Sequence, residues 1–121
     1  MSYIRQTEMH YVPKGWGWER WIWNSDQYCG KILHFDKGKQ CSWHYHAVKD
    51  EVLYVNKGQI LMFYNETDDL DSANSVVLGV GDAFHVYTGL RHRMRAMMES
   101  EIFEVSTHHE DSDSIRVIPG D

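Results

Sequence analysis

The chain has 121 residues, of which 42% are hydrophobic, and it contains five Trp, seven Tyr and four Phe. This length suits a single domain over residues 1–121, and the apolar side chains suffice to fill a core, which excludes a disordered chain. Twelve Lys and Arg residues against 18 Asp and Glu residues give a net charge of −6, so the basic field that attracts nucleic acids and anionic membranes is missing. We therefore expect a globular protein that binds neither nucleic acids nor membranes.

The predicted elements are short β-strands. Runs of β-branched, aromatic and aliphatic residues recur, each closed by a turn signal, and no segment has the period of an amphipathic helix. In chain order, ten strands are predicted at 16–23, 28–35, 40–46, 51–55, 59–64, 75–78, 83–86, 92–97, 101–106 and 114–118. Their spacing of about 8–12 residues, without helical crossovers, predicts an all-β antiparallel sandwich or barrel.

The sequence also carries signals of cellular location. No apolar run approaches the roughly 20 residues that span a bilayer, and the first residues lack the basic start and apolar stretch of a signal peptide. The two cysteines, Cys29 and Cys41, form no C-x-x-C motif, and reduced, buried thiols are their expected state. We predict a cytoplasmic protein.

Two histidines of the strand predicted at 40–46 are expected to share a face. Because alternate residues of a strand point to the same side, His44 and His46 would lie about 6.6 Å apart along it. Cys41 and Trp43 would point the other way. Two imidazoles at this separation can lean onto one ion, whereas either histidine alone is more simply a polar residue at a solvated strand end.

A carboxylate is expected beside this histidine face. Residues 47–50 are predicted to close a hairpin in which His46 pairs with Glu51. The same register places His44 opposite Leu53. A carboxylate next to two imidazoles forms either a set of metal ligands or a hydrogen-bonded His–Glu cluster.

Fixed spacings connect these residues with nearby glycines, and a second spaced stretch follows. The first is Gly38-x5-His44-x-His46-x4-Glu51-x6-Gly58, and the second is Gly81-x5-Tyr87-x-Gly89-x2-His92. The two stretches, at 38–58 and 81–96, resemble the two motifs of the cupin superfamily, G-x5-H-x-H-x3-4-E-x6-G and G-x5-P-x-G-x2-H-x3-N. The first matches at every fixed position, and the second has Tyr87 in place of Pro and Ala96 in place of Asn.

The cupin resemblance implies a fold and a metal site. The fold would be a double-stranded β-helix, a jelly-roll barrel in one domain, and one divalent ion would be bound by His44, His46, Glu51 and His92. Three imidazoles and a carboxylate suit Fe, Mn, Ni, Co or Zn better than Mg, which prefers oxygen ligands. An ion that favours six ligands would keep two positions for a small-molecule substrate.

A second resemblance concerns the cupin module of bifunctional mannose-6-phosphate isomerases. It rests on the segment VPKGWGWERW, on Lys49 two residues before Glu51, and on the motif Asp113-Ser114-Ile115-Arg116. His44 stands where that family carries Gln. The resemblance implies a metal-dependent isomerase of a sugar or sugar phosphate, with Arg116 in catalysis and Lys49 holding an anionic group of the substrate.

Two other functions fit the same ligands. A ferrous dioxygenase would place substrate and dioxygen on the two open positions, and the Trp and Met residues would suit an apolar substrate. A non-catalytic cupin would use the ion to bind a sugar or a small acid. The isomerase hypothesis differs from both in requiring a polar or anionic substrate, and a fold alone does not decide between these chemistries.

Several side chains outside the motifs have simpler expected roles. Exposed apolar faces predict a homodimer, because a monomer of this size would leave much aromatic surface in water. The residues expected at that interface are Trp21, Trp23, Ile22 and Ile32. Met94, Met97 and Met98 are expected in the core or lining a pocket. A surface ion pair is predicted between Arg95 and Glu104, and structural or solvated roles are expected for His34, His85, His108 and His109.

Overall fold

The computed structural model describes residues 2–121, and these contain eleven β-strands and two short 3-10 helices, at Gln6–Glu8 and Asp111–Asp113. The strands are β1 (His10–Lys14), β2 (Gly17–Asn24), β3 (Cys29–Phe35), β4 (Trp43–His46), β5 (Glu51–Lys57), β6 (Gln59–Asn65), β7 (Asn74–Gly79), β8 (Ala83–Val86), β9 (Arg91–Ala96), β10 (Ser100–Ser106) and β11 (Ser114–Ile118). Within residues 2–121, no helix is long and apolar enough to cross a membrane.

The strands form two antiparallel sheets. One has six strands in the order β1-β2-β3-β10-β5-β8, and the other has five in the order β11-β4-β9-β6-β7. Leu33 and Phe35 from the first sheet join Met62 and Met94 from the second in one buried cluster, because each sheet turns its apolar face toward the other. The predicted all-β jelly roll is confirmed.

Strand β3 shows how this core is built. Its residues alternate strictly between buried and half-buried positions, as expected for a strand with one face on the core. The buried positions are Cys29, Lys31, Leu33 and Phe35. A lysine therefore occupies an inward position in an otherwise apolar row.

Most predicted strands appear within three residues of their expected ends, and those at 83–86 and 114–118 have the expected bounds. The strand predicted at 40–46 begins only at Trp43. The sequence does not predict β1, because Pro13 interrupts its pattern. The structure places β1 at the edge of the six-stranded sheet, where a residue without a backbone N–H is tolerated.

The predicted hairpin between β4 and β5 is wrong. Strand β4 pairs with β9 and β11, whereas β5 pairs with β10 and β8, so the two strands belong to different sheets. Neither the pairing of His46 with Glu51 nor that of His44 with Leu53 exists. Residues 47–50 instead carry the chain from one sheet to the other.

The predicted orientation of Cys41 is also wrong. Its side chain belongs to the buried core cluster, and its backbone N–H donates to the Met94 carbonyl at 3.1 Å. Residues 40–42 precede the regular strand, so the alternation that holds within β4 does not extend to them. Cys29 and Cys41 are both buried free thiols, as predicted.

Trp43 faces away from the core and is still fully buried. Its Nε1 donates a 2.9 Å hydrogen bond to the Asp68 carbonyl, and Arg91 Nε contacts the Asp68 carboxylate at 2.8 Å. The acidic loop at 66–72 therefore covers the outer face of β4.

The predicted ion pair between Arg95 and Glu104 and the predicted burial of two methionines are both wrong. Arg95 pairs with Leu61 on β6, while Glu104 lies buried on β10 in the other sheet, so no ion pair joins Arg95 and Glu104. Met94 is buried as expected, but Met97 and Met98 are 44% and 50% exposed because they lie in the turn after β9.

Candidate metal centre

Three imidazoles converge between the two sheets. His44 and His46 lie on β4, and His92 on β9 is the cross-strand partner of His44. One ring nitrogen from each lies within 4.8 Å of the other two. This spacing allows all three to bind one ion.

Hydrogen bonds fix the tautomer of each ring. His44 Nδ1 lies 2.9 Å from the Ser42 carbonyl oxygen. His46 Nδ1 lies 3.1 Å from the Asp113 carbonyl oxygen, and His92 Nδ1 lies 3.0 Å from that of Leu90. A carbonyl only accepts, so each Nδ1 carries the proton and each Nε2 keeps a free lone pair. Second contacts of this kind orient imidazoles that bind metals.

Two of the rings are held in the neutral form. Burial lowers the pKa of His92 to about 4, although the nearby Glu51 carboxylate opposes the shift. Burial and then the neighbouring His92 and His46 rings place the pKa of His44 well below its usual range. Part of the His44 residue is solvent-accessible, yet its ring packs 4.3 Å from that of His92, centre to centre. Neutral imidazole is the form that binds metals.

Glu51 supplies a buried carboxylate beside the histidines. Its Oε2 lies 3.0 Å from His46 Nε2 and 3.1 Å from Lys49 Nζ, but neither contact has the direction of a hydrogen bond, so this oxygen makes none. Burial acts to raise the pKa of Glu51. The Lys49 ammonium, together with His46 and His92, lowers this pKa by more, so it lies well below its usual range. A buried anionic oxygen without a hydrogen bond, next to three imidazoles, fits a divalent transition metal ion.

Lys49 points into the protein and is 2% exposed. Its Nζ lies 3.1 Å from Glu51, 3.1 Å from Glu104 and 3.0 Å from His109 Nδ1. Burial acts to lower the pKa of Lys49, but the two glutamates raise it above its usual value. The ammonium therefore stays charged. It donates hydrogen bonds to Glu104 and His109 and forms an ion pair with Glu51.

Asp113 is the reason Lys49 turns inward. Its carboxylate accepts the backbone N–H groups of Ala47, Val48 and Lys49 at 2.9, 3.0 and 2.8 Å. This clamp fixes the turn at 47–50 just before Glu51. Asp113, the first residue of the motif at 113–116, thus has two roles. Its carboxylate orders the turn, and its backbone carbonyl orients His46.

His109 also belongs to this cluster. It is buried, with Nδ1 on Lys49 and Nε2 3.0 Å from the Asp111 carboxylate. Burial, followed by Lys31 and Lys49, lowers the pKa of His109 to about 4. Neutral His109 accepts from Lys49 and donates to Asp111. No spacing motif in the sequence connects His109 with the other histidines.

These side chains surround a small cavity of about 60 Å³. Its polar lining includes His44, His46, His92, Glu51, Lys49, Lys31, Glu19, Glu104 and His109, and its apolar lining includes Trp16, Leu33, Phe35 and Met94. A groove of about 290 Å³ shares Glu19, His109 and Ser114 with the cavity and is also lined by Lys14, Asp111 and Arg116. The groove therefore lies next to the cavity.

Arg116 lines this groove and not the cavity. Its backbone is opposite His44 on the adjacent strand, but its side chain is exposed and forms no ion pair with any of residues 2–121. The structure thus brings His44, His46, Glu51, His92 and Lys49 together and leaves Arg116 in the neighbouring groove.

Residues 31–105 match the Cupin_2 family, the cupin domain. The chain belongs to the cupin family. This agrees with the motifs at 38–58 and 81–96, both of which lie inside the matched segment.

Solved cupin structures share the fold. KdgF from Halomonas sp. superposes with a TM-score of 0.76 at 18% identity, covering 93% of this chain and 97% of KdgF. An RmlC-like cupin from Shewanella frigidimarina gives 0.76 at 17% identity, covering 93% and 95%. A variant of Bacillus subtilis oxalate decarboxylase gives 0.76 at 18% identity, but this chain spans only 31% of it. No curated protein matches the sequence.

Proposed function

We propose that the protein binds one divalent transition metal ion through Nε2 of His44, His46 and His92 and through the Glu51 carboxylate. The observation that carries this proposal is the convergence of three imidazoles beside a buried carboxylate oxygen that has no hydrogen bond. Mn, Fe, Co, Ni and Zn suit this donor set. Oxalate decarboxylase from B. subtilis has Mn(II) centres, which makes Mn(II) a reasonable first probe.

The proposed activity is that of a metal-dependent, isomerase-like enzyme acting on a small polar or anionic substrate. When bound, the ion would supply Lewis acidity to oxygen atoms of the substrate. Lys49 would hold Glu51 in place, and the apolar wall formed by Trp16 and Met94 would keep water away from the reacting atoms.

The size of the cavity limits what can react inside it. One water needs about 10–15 Å³ of such space, so a cavity of about 60 Å³ holds roughly four to six non-hydrogen atoms. A sugar phosphate would place only its reacting end there and would extend into the groove. We propose that Arg116, the exposed cation of that groove, contacts an anionic group of such a substrate.

A ferrous dioxygenase is the second candidate. The apolar lining by Trp16, Leu33, Phe35 and Met94 favours it, because an apolar substrate would pack against that wall. Iron as the native metal, together with oxygen consumption on a thiol, diketone or phenol, would favour this function over an isomerase. A protein that binds metal and small ligands without turnover would be a non-catalytic binding cupin.

Elemental analysis of the purified protein and titration of the metal-free protein with Mn(II) test the metal site. We expect one bound ion per chain and a strong loss of occupancy in His92→Ala and His44→Ala, because the remaining ligands lose both a bond and their geometry. His85→Ala, which removes an exposed imidazole on β8, is the matched control and should bind as the wild type does. Failure of Mn, Fe, Co, Ni and Zn to bind the wild type would refute the proposal.

A further inference from the structure

Lys31 is a second buried lysine in the cavity, and the proposed metal site does not use it. The residue is 1% exposed, and its Nζ lies 3.6 Å from Glu19 Oε1 and 4.2 Å from the centre of the Trp21 ring. Among residues 2–121, no side-chain or backbone acceptor forms a hydrogen bond with this Nζ. Lys49, by contrast, donates hydrogen bonds to Glu104 and His109 and forms an ion pair with Glu51.

Glu19 does not satisfy the Lys31 ammonium. Its Oε1 already accepts the Trp21 Nε1 hydrogen bond at 2.9 Å, and its Oε2 lies near Lys14 at 3.9 Å. A buried ammonium is costly unless its donors are paired. Glu19 and the face of the Trp21 ring can each take one N–H of the ammonium. At least one N–H donor of Lys31 is therefore free to bind water or a ligand in the cavity.

The ammonium and the candidate metal centre share one space. Lys31 lies on the inward face of β3, opposite Glu104 on β10. It lines the same cavity of about 60 Å³ as His44, His46 and His92. A ligand in this cavity can therefore meet the lysine and the centre at once.

The charges of the cavity favour an anion. The loaded cavity would carry a net charge of +1. Its positive charges, +4 in all, come from Lys31, Lys49 and a divalent ion, and its negative charges, −3 in all, come from Glu19, Glu51 and Glu104. A ligand with one negative charge would neutralise the loaded cavity. In a space shielded from water, this balance strongly affects binding.

We propose that Lys31 binds the carboxylate of a small anionic substrate whose other oxygen atoms face the metal centre. This inference rests on the proposed metal-dependent function and names its substrate class, a short hydroxy or oxo carboxylic acid. A carboxylate takes three of the roughly four to six non-hydrogen atoms that fit, which leaves room for one more reacting group. A phosphate ester would have to place its phosphate outside the cavity, in the groove of about 290 Å³.

Glycolate and its neutral isostere glycolamide are the probes, and Mn(II)-loaded protein is titrated with each by calorimetry. We expect the wild type to prefer glycolate at least tenfold, because the amide oxygen carries no negative charge and accepts a weaker bond from Lys31. Lys31→Met should abolish the preference while keeping Mn(II) affinity. Lys57→Met, which removes an exposed lysine at the end of β5, should keep both.

A crystal structure of the wild type with glycolate gives a second test that does not depend on folding of the variant. It should show a carboxylate oxygen within hydrogen-bond distance of Lys31 Nζ. Equal affinity for glycolate and glycolamide in the wild type, or glycolate affinity unchanged in Lys31→Met, would overturn the inference while leaving the metal site intact.

The metal function and this inference fail in different ways. If the wild type takes up none of the metals, the proposed function is wrong. The same titrations on the metal-free protein then decide the anion site, since a preference for glycolate that depends on Lys31 would support it and an absent preference would refute it.

Discussion

His46 Nε2 lies 3.0 Å from Glu51 Oε2 although the two residues belong to different sheets. The turn at 47–50 connects them, and the Asp113 carboxylate accepts three backbone N–H groups of that turn. The carbonyl of the same aspartate orients His46. One residue therefore controls the distance between two proposed ligands.

Asp113→Ala should weaken Mn(II) binding about tenfold and lower the free energy of unfolding by about 1–3 kcal/mol. The reason is that three backbone N–H groups lose their acceptor and Glu51 loses its fixed approach. Calorimetric titration and urea denaturation measure the two effects. Asp71→Ala, in the exposed loop at 66–72, is the matched control, and an Asp113→Ala protein with wild-type Mn(II) affinity would contradict the argument.

His109 should act on the centre through Lys49. His109→Leu removes one acceptor of the buried ammonium, so Lys49 holds Glu51 less firmly and Mn(II) affinity should fall about tenfold. His109→Gln can still present an acceptor to Lys49 and should restore most of the affinity. The Mn(II) electron paramagnetic resonance spectrum should change in the leucine variant.

The control for this prediction is the adjacent residue. His108→Leu alters a histidine of the same loop whose Nδ1 contacts the Ser25 carbonyl and not Lys49. It should leave Mn(II) affinity and the spectrum unchanged. Identical losses in His108→Leu and His109→Leu would show that the loop matters only as a whole.

The metal-free protein should lose stability as the pH falls below about 6.5. The folded-state pKa of His92 is about 4, below its value of 6.5 in the unfolded chain, so the unfolded chain binds more protons in this range. The stability is fully present above pH 6.5 and is lost toward pH 4, by about 3 kcal/mol for His92 alone. His44 and His109 act in the same direction.

Urea denaturation of the metal-free protein at pH 7 and pH 5 measures this loss. His92→Gln removes the most buried of these imidazoles and should give a shallower pH dependence than the wild type. A free energy of unfolding that does not change between the two pH values would contradict the burial argument.

We also propose that the protein is a homodimer through the outer face of the six-stranded sheet. Phe103, 39% exposed, lies between Ile32 and Tyr54 in a cross-strand row of that face. A second copy that covers this row would remove its apolar surface from water, which favours association. Of the residues expected at the interface, Trp23 is 45% exposed, but Trp21 packs inside the protomer against Lys31 and His109.

Light scattering at micromolar concentration tests the dimer. Phe103→Glu should shift the mass toward the monomer, because a charge in the centre of an apolar interface is costly to bury. Val77→Glu introduces the same charge at an exposed position of the other sheet and should not. A monomeric wild type would refute the dimer.

The local spacing of the sequence predicts the ligand cluster better than it predicts strand pairing. His44, His46 and Glu51 are close in the chain, so almost any turn at 47–50 keeps them near one another. The strands that pair with β4 depend on the strand order within each sheet. The alternation of inward and outward residues along a strand carries no information about that order.

The rest of the site depends on contacts between distant parts of the chain. The alternation of apolar residues on β3 predicts that Lys31 points inward. That its ammonium has no hydrogen-bond acceptor depends on where the fold places Glu19 and Glu104. His109 lies outside every motif and reaches Lys49 across 60 positions. Propensity and pattern describe single strands, so they do not reveal such clusters.

The clamp by Asp113 has a consequence for how the protein is made. A nascent chain that ends just after His92 already contains every proposed ligand, but it lacks the carboxylate that orders the turn at 47–50 and the carbonyl that orients His46. Its histidines have no fixed geometry by which to select one metal over another. If the proposed ion binds, its selection would therefore require that residue 113 has been synthesised, when the ligands can close around an ion in a nearly complete fold.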